Sequence, residues 1–273
     1  MSKVLRIILI TLLSLLTMTL IVGLVILIKT DFKFDFKYNE NSTLAYDKNI
    51  TDEFNKIDII TESLDVEFIK SKDNVVNVKI YDDDKNDVMV NVDSETLRIE
   101  SNKKVDFCFF CFRSRKAIVT LPEKMYDLVI DTKSGDITSE IDFNNVNIVS
   151  TSGDLKFNNI TEAFIKVTSG DIKINEVDDL EIKSTSGDLE IDKINKHLNI
   201  KTTSGDIIIN NLMLTENSNI DVTSGDLLIL NASDNIYYDT NVMSGDVKIN
   251  NNNRHADVEV KISAKSGDII VKN

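Results

Sequence analysis

The chain has 273 residues, a formal net charge of −14, and only two cysteines, two histidines and one proline. A chain this acidic, and more acidic still beyond its first 30 residues, excludes a nucleic-acid binder, which needs a basic face. Two cysteines and two distant histidines also fall short of a zinc set, which takes four ligands.

The first predicted element is a membrane helix. Ile7 to Ile28 carry no charge and are rich in Leu and Ile, and about 20 apolar residues span a bilayer as a helix. Lys3 and Arg6 precede the run and Lys29 follows it. We read residues 1–30 as an uncleaved signal-anchor with a cytoplasmic N-terminus. The alternative is a cleaved secretory signal; the length of the run and the lack of an Ala-x-Ala-like site stand against it. The expected location is the plasma membrane, single-pass, with the rest of the chain extracytoplasmic. Lys33 and Lys37 oppose that orientation and are largely offset by Asp31 and Asp35. Residues 31–51, polar and poorly patterned, read as a tether.

Residues 52–127 read as a degenerate, β-rich entry or capping segment. Ile59, Thr61, Ser63, Leu64, Asp65, Val66 and Phe68 follow the frame of the array further on, with Leu64 where the array carries glycine. The turn there is expected to take another shape. Val76–Ile80, Val88–Val92 and Leu97–Ile99 alternate as strands do. Phe107-Cys108-Phe109-Phe110-Cys111-Phe112 then breaks the alternation, followed by Arg113, Arg115 and Lys116. A hydrophobic cap over the end of the array, a membrane-dipping loop and a partner site all fit this stretch. Aromatics beside basic residues suit the headgroup region. Phe107, Phe109, Phe110, Phe112, Arg113, Arg115 and Lys116 are therefore a candidate membrane or partner patch. In an extended strand Cys108 and Cys111 would stand about 10 Å apart, too far to bridge; in a turn they could form a disulfide.

Residues 128–273 carry the dominant feature, eight copies of Ser-Gly-Asp. Their glycines are Gly135, Gly153, Gly170, Gly187, Gly205, Gly225, Gly245 and Gly267, spaced 17–22 residues apart. Five residues before the glycine, seven copies carry Ile and one carries Thr240. Three before it, every residue is small or β-branched. Two after it stand only Ile, Leu or Val. Four after it, Ser139 is the one polar residue. This is period-two alternation on both sides of a turn, so each unit is strand, turn, strand. A unit so short cannot bury its apolar face alone and must stack on its neighbours. The predicted fold is all-β, a parallel β-solenoid of 17–22-residue coils behind one N-terminal transmembrane helix. The last coil, ending at Val271-Lys272-Asn273, is expected to present open strand edges.

The corner motif has a structural and a functional reading. Gly takes φ > 0 without steric cost, and Asp and Ser bond locally to turn amides. Stacked corners would also line up Asp136, Asp154, Asp171, Asp188, Asp206, Asp226, Asp246 and Asp268 as an acidic ladder. Carboxylates about 4.8 Å apart repel by about 1 kcal/mol per pair even in water. Calcium could relieve that repulsion. The glycine-dense nonapeptide of calcium-binding β-rolls is missing, and turn amides could do the same. No other cofactor is implied.

The Thr-Ser-Gly-Asp-Leu/Ile repeats, the aromatic-rich patch, the basic stretch and the run from Ala117 to Ile137 through Leu121-Pro122-Glu123 resemble the bacterial DUF4097-type "putative adhesin" family of β-strand repeat proteins, over about residues 50–273. The membrane helix in front is similar to that of Lia-type envelope-stress members. The resemblance implies a β-solenoid at the cell surface or membrane, and for some members a link to envelope damage. It brings no catalytic residues.

The expected function is that of a membrane-anchored, non-enzymatic, adhesin-like or envelope-stress-associated binding module. Its partners would be a protein, a wall polymer or a cationic peptide. The alternatives are a structural spacer or assembly scaffold, and a carbohydrate-active β-helix enzyme. Against an enzyme stand the regular row of carboxylates, the scarcity of Arg, and His197 and His255 in different coils without an obvious Ser or Cys partner.

Overall fold

Alternation in the repeats becomes alternation in burial. In the strands Leu155–Ser169, Ile172–Ser186 and Leu189–Ser204 every second residue near the corners is buried and its neighbours face water. The computed structural model describes residues 43–82, 88–101 and 115–272. Among them are twenty strands and no helix. The predicted membrane helix, Cys108, Cys111 and the aromatic run Phe107–Phe112 with Arg113 lie outside the described residues.

Each coil has one arm before its glycine corner and one after it. The arms stack in register as parallel ladders. Ile148, Ile165, Ile182 and Ile200 stand beside one another on the leading arms. Ile137, Leu155, Ile172 and Leu189 do so on the trailing arms. Both rows point inward into one continuous core that runs from Phe54 to Val271. Each fully buried aliphatic side chain contributes about 1.5–3 kcal/mol relative to exposure, so the stacked rows hold the solenoid together. Ser139, the one polar residue in its row, is buried and closed on itself: its hydroxyl donates to the Ile141 carbonyl at 2.8 Å and accepts the Ile141 N–H. Nearby, Phe143 packs edge-on against Phe68 and Phe157, with ring centroids 5.2 and 6.1 Å apart.

The order of coils in space departs from their order in sequence at both ends. The strand Lys56–Ser63 lies between Thr96–Ser101 and Tyr126–Ser134. At the other end, Val258–Ser266 lies between Ser218–Ser224 and Ile236–Val242, and Ile269–Val271 lies between Leu227–Ala232 and Val247–Ile249. The outermost coil is therefore that of Gly245, and the last coil in sequence is an interior rung. This corrects the expectation that the edges at Val271-Lys272 stand open. The chemistry of the two coils explains the exchange. The Gly267 coil offers apolar or small residues at its inward sites, as Val258, Val260, Ile262 and Ala264, all buried. The Gly245 coil has Thr240 in the Ile row, and Val247 is 41% exposed.

Both ends are closed by local devices. At one end antiparallel strands cover the ladder: Val88–Asp93 on Thr96–Ser101, Val76–Tyr81 on Lys116–Leu121, and Leu44–Ile50 on Val76–Tyr81. The stretch read as a tether up to residue 51 thus contains a strand, Leu44–Ile50, whose mostly exposed face carries too few apolar residues to announce itself. At the other end Tyr238 buries its ring, and the Asn252 side chain mimics a neighbouring strand. Its Oδ1 accepts the Tyr238 N–H at 2.9 Å and its Nδ2 donates to the Tyr238 carbonyl at 3.0 Å. Such plugging protects an edge that would otherwise template pairing. Ten rungs at about 4.8 Å give this unit, residues 41–273, a length of roughly 43 Å.

Candidate functional site

The Ser-Gly-Asp corners form a backbone ladder. All eight glycines sit at φ between 120° and 141°, a region L side chains rarely adopt. A Cβ on Gly187 would also lie 2.1 Å from the Gly170 carbonyl oxygen. Neighbouring corners thus touch backbone to backbone, and only glycine permits it. Leu64 occupies the corresponding corner without a positive φ, so the turn there takes another shape, as expected, and the Leu64 side chain is buried in the core.

The aspartates serve that ladder. The N–H of Asp136 donates to Asp65 Oδ1 at 3.0 Å, and the pattern repeats for Asp154 on Asp136, Asp171 on Asp154, Asp188 on Asp171 and Asp206 on Asp188. It continues through Asp226 on Asp206, Asp268 on Asp226 and Asp246 on Asp268, each at 2.8 Å. Charge-assisted bonds of this kind are stronger than neutral ones and offset the repulsion along the row. The small hydroxyls inside the corner join in: Thr132, Ser150, Ser184 and Thr202 each donate to the carbonyl of the motif serine two residues on. Among the described residues no group of three or more His, Cys, Asp or Glu is placed to hold a metal ion.

Asp65 starts the row, ahead of the first Ser-Gly-Asp corner. Burial lifts its carboxyl above the ordinary range, the Asp136 N–H pulls it down, the Asp136 charge pushes it up, and Lys116 pulls it down. The folded chain therefore holds this proton to higher pH than the unfolded chain, and stability falls as pH rises through that window. Asp65→Asn keeps the acceptor oxygen and removes the titration. We expect it to melt above the parent at neutral pH, with the gain vanishing as pH falls below the ordinary Asp range of about 4; thermal melts across pH 3–8 check this. A variant that melts below the parent at pH 7 would assign the charge itself a stabilising role.

The basic end of the candidate patch divides between interior and surface. Arg115 is 9% exposed and holds the buried Asp82 carboxylate, its Nε donating to Oδ2 at 2.8 Å. Its Nη1 donates to the Ser63 carbonyl at 3.1 Å, and its Nη2 also donates to Ser101 Oγ. Arg115 is therefore a core residue, committed to the sheet and not to a headgroup: Asp82 is buried too, and a buried carboxylate requires a paired charge. Lys116 begins the strand Lys116–Leu121 and pairs with Glu67 at 2.8 Å.

The outward face of the leading arms carries a groove that the sequence reading missed. Two adjoining depressions, of about 340 and 380 Å³, share His197. The floor follows one outward column, Asn147, Phe164, Glu181, Asn199, Asn219 and Lys261, in register on six successive coils. One wall is Glu162 and Asp179, continued by His197. His197 sits where the register shifts between Val177 and Asp179; such irregularities re-aim side chains and recur beside functional sites. Beyond the floor on the other side stand Lys166, Lys183 and Lys201, all exposed. The Lys183 ammonium lies 5.3 Å from the Phe164 ring centroid and 2.6 Å from Glu181 Oε1. Phe164 was the available signal: it is an aromatic at an outward position where the other copies carry Val129, Asn147, Glu181, Asn199, Asn219, Asp239 and Lys261.

The family model described as Toastrack DUF4097 matches residues 54–273. No curated protein matches the chain in sequence. Among solved structures it is similar to a putative adhesin from Bacteroides fragilis, with 18% identity, 85% of this chain and 98% of that chain covered, and a TM-score of 0.55. It is also similar to a putative adhesin from Parabacteroides distasonis, with 15% identity, 85% and 98% covered, and a TM-score of 0.51. At these identities the likeness is one of fold.

Proposed function

The chain belongs to the Toastrack DUF4097 family, and on that premise we propose that it is an adhesin-like, non-enzymatic binding module, anchored in the plasma membrane by residues 1–30 with its solenoid outside the cytoplasm. The observation that carries this reading is the groove: a channel lined by both polar and apolar groups, with one aromatic, running over several coils of a rigid parallel scaffold. A rigid repeat surface suits recognition of an extended partner. The names of the two structural neighbours agree with such a role. An envelope-stress role fits the same arrangement, with a sensing surface held at the membrane.

Catalysis has less support. The groove is shallow and wet, whereas acid–base chemistry is favoured in clefts that exclude water. The scaffold reading is also weaker, because Asn252 occupies the edge that end-to-end stacking would use.

The test is a titration of the full-length chain in detergent with wall polymers, anionic and neutral liposomes and cationic antimicrobial peptides, at low and high salt, with and without calcium. We expect saturable binding to one class with the ligand recovered unchanged. Turnover of the bound ligand, or no binding to any class, overturns the reading.

A further inference from the structure

We infer that the outer groove binds an extended, uncharged, hydroxyl-rich glycan lying along the solenoid axis, with Phe164 as its stacking platform. This rests on the reading of the chain as a surface-binding module and names the ligand class for that site.

The floor sets the first requirement. Asn147, Phe164, Glu181, Asn199, Asn219 and Lys261 repeat at the coil spacing of about 4.8 Å. That spacing is close to the length of one hexose unit in an extended chain, so successive sugars meet successive coils. An aromatic ring offers an apolar surface to the C–H face of a pyranose. Amides donate and accept, and carboxylates accept, which is what a run of hydroxyls needs.

The walls set the second. Glu162 and Asp179 stand on one side of the floor, and Lys166, Lys183 and Lys201 on the other, each two residues from the floor column in sequence. Same-face neighbours along a strand lie about 6.6 Å apart, so a ligand on the floor is within reach of both walls. A polyanion meets the acidic wall and a polycation meets the lysines, and like charges brought together disfavour a complex. An uncharged chain meets neither penalty, and both walls can bond to its hydroxyls.

The shallow groove sets the third. No single sugar is enclosed, so affinity accumulates from repeated contacts along the chain. One local contact opposes binding: the Lys183 ammonium lies against the Phe164 ring and pairs with Glu181. Lys183 is exposed and long, so it can swing aside, and removing it uncovers the platform.

The experiment uses the full-length chain in detergent. Its probes are an array of linear neutral hexose and N-acetylhexosamine oligosaccharides of increasing length, oligo-lysine, and polyphosphate. Variants are compared at matched folding, judged by thermal melts. We expect saturable binding of neutral oligosaccharides, with affinity rising up to about six sugars, the span of the floor, and then levelling. It should change by less than about twofold between low and high salt. Phe164→Ala should weaken it by about tenfold, roughly the loss of one aromatic contact, and Asn199→Ala should weaken it less. Lys183→Ala should strengthen it. Neutral-glycan binding that Phe164→Ala and Asn199→Ala do not alter overturns the inference, because the glycan then sits elsewhere. Salt-sensitive binding of oligo-lysine alone, weakened by Glu181→Gln, also overturns it and makes the groove a cation site, with the binding-module reading intact. Polyphosphate binding alone, weakened by Lys183→Ala, does the same for an anionic ligand. Binding of none of the probes overturns the glycan inference; if the wall polymers, liposomes and peptides also fail to bind, the binding-module reading falls with it.

Discussion

Gly187→Ala should lower the stability of the solenoid by about 3 kcal/mol or more, because it combines two penalties that neighbouring coils cannot relieve. The first is conformational: an alanine at φ 120° is strained at a cost of about 1–3 kcal/mol. The second is steric. The new Cβ would meet the Gly170 carbonyl oxygen at 2.1 Å, and that contact is backbone. Moving it aside means breaking the ladder bonds that join the Gly170 and Gly187 corners. For a domain of this size each kcal/mol shifts the melting temperature by about 2–4 °C, so a drop of roughly 6–12 °C is expected. Gly245→Ala meets a similar clash, 2.0 Å from the Gly267 oxygen, but in the outermost coil. That coil is paired on one side and can fray alone. Its substitution should leave the main transition nearly in place and cost amide protection over residues 236–249. Gly267→Ala separates the two possible coil orders. It should behave like Gly187→Ala, since its coil is interior, whereas a melt unchanged from the parent would mean that the coils follow sequence order.

Asp82→Ala should be comparably severe. Asp82 is 1% exposed and Arg115 is 9% exposed, so deleting the carboxylate leaves a guanidinium buried without its counter-charge. Breaking a buried pair from one side costs about 3–5 kcal/mol. Replacing both partners by apolar residues is often far milder, because the desolvation cost of each ion disappears with it. The double variant Asp82→Ala/Arg115→Met should therefore recover much of the loss. Urea denaturation of the four chains gives the coupling energy directly. A double variant no more stable than Asp82→Ala alone would mean that the charge pairing is incidental and that the fold there depends on the other bonds of Arg115, to Ser63 and Ser101.

The strand-turn-strand unit and its inward rows were legible because both depend on local rules. β-branched residues at period two mark a half-buried strand, and a glycine at fixed spacing marks a corner where φ must be positive. The parallel stacking followed from the length of the unit, too short to bury its own apolar face. The corner aspartates were legible as a row, and turn amides were one of two named ways to offset their repulsion. Arg115 was misleading because its neighbours Arg113 and Lys116 make a basic cluster in sequence. Its partner Asp82 is 33 residues away and is identified only by the fold.

The groove was not read from the sequence. Phe164 is an aromatic in a wet column, yet a single residue of that kind has no meaning until its neighbours across the coils are known. Those neighbours come from register, and register across coils of 17 to 22 residues depends on where each loop takes up its extra length. The coil order at the ends was less legible still. Thr240 hinted that the Gly245 coil differs, but any strand with apolar inward residues can pair with any other of the same kind. By itself the sequence determined the all-β class, the repeating unit, the glycine corner and the inward face, since these rest on backbone sterics and on alternation within a few residues. Only the tertiary structure decided which coil lies at the end, which charges are buried together, and which outward side chains share a groove, because those choices are made by competition among strands far apart in the chain for the same apolar neighbours.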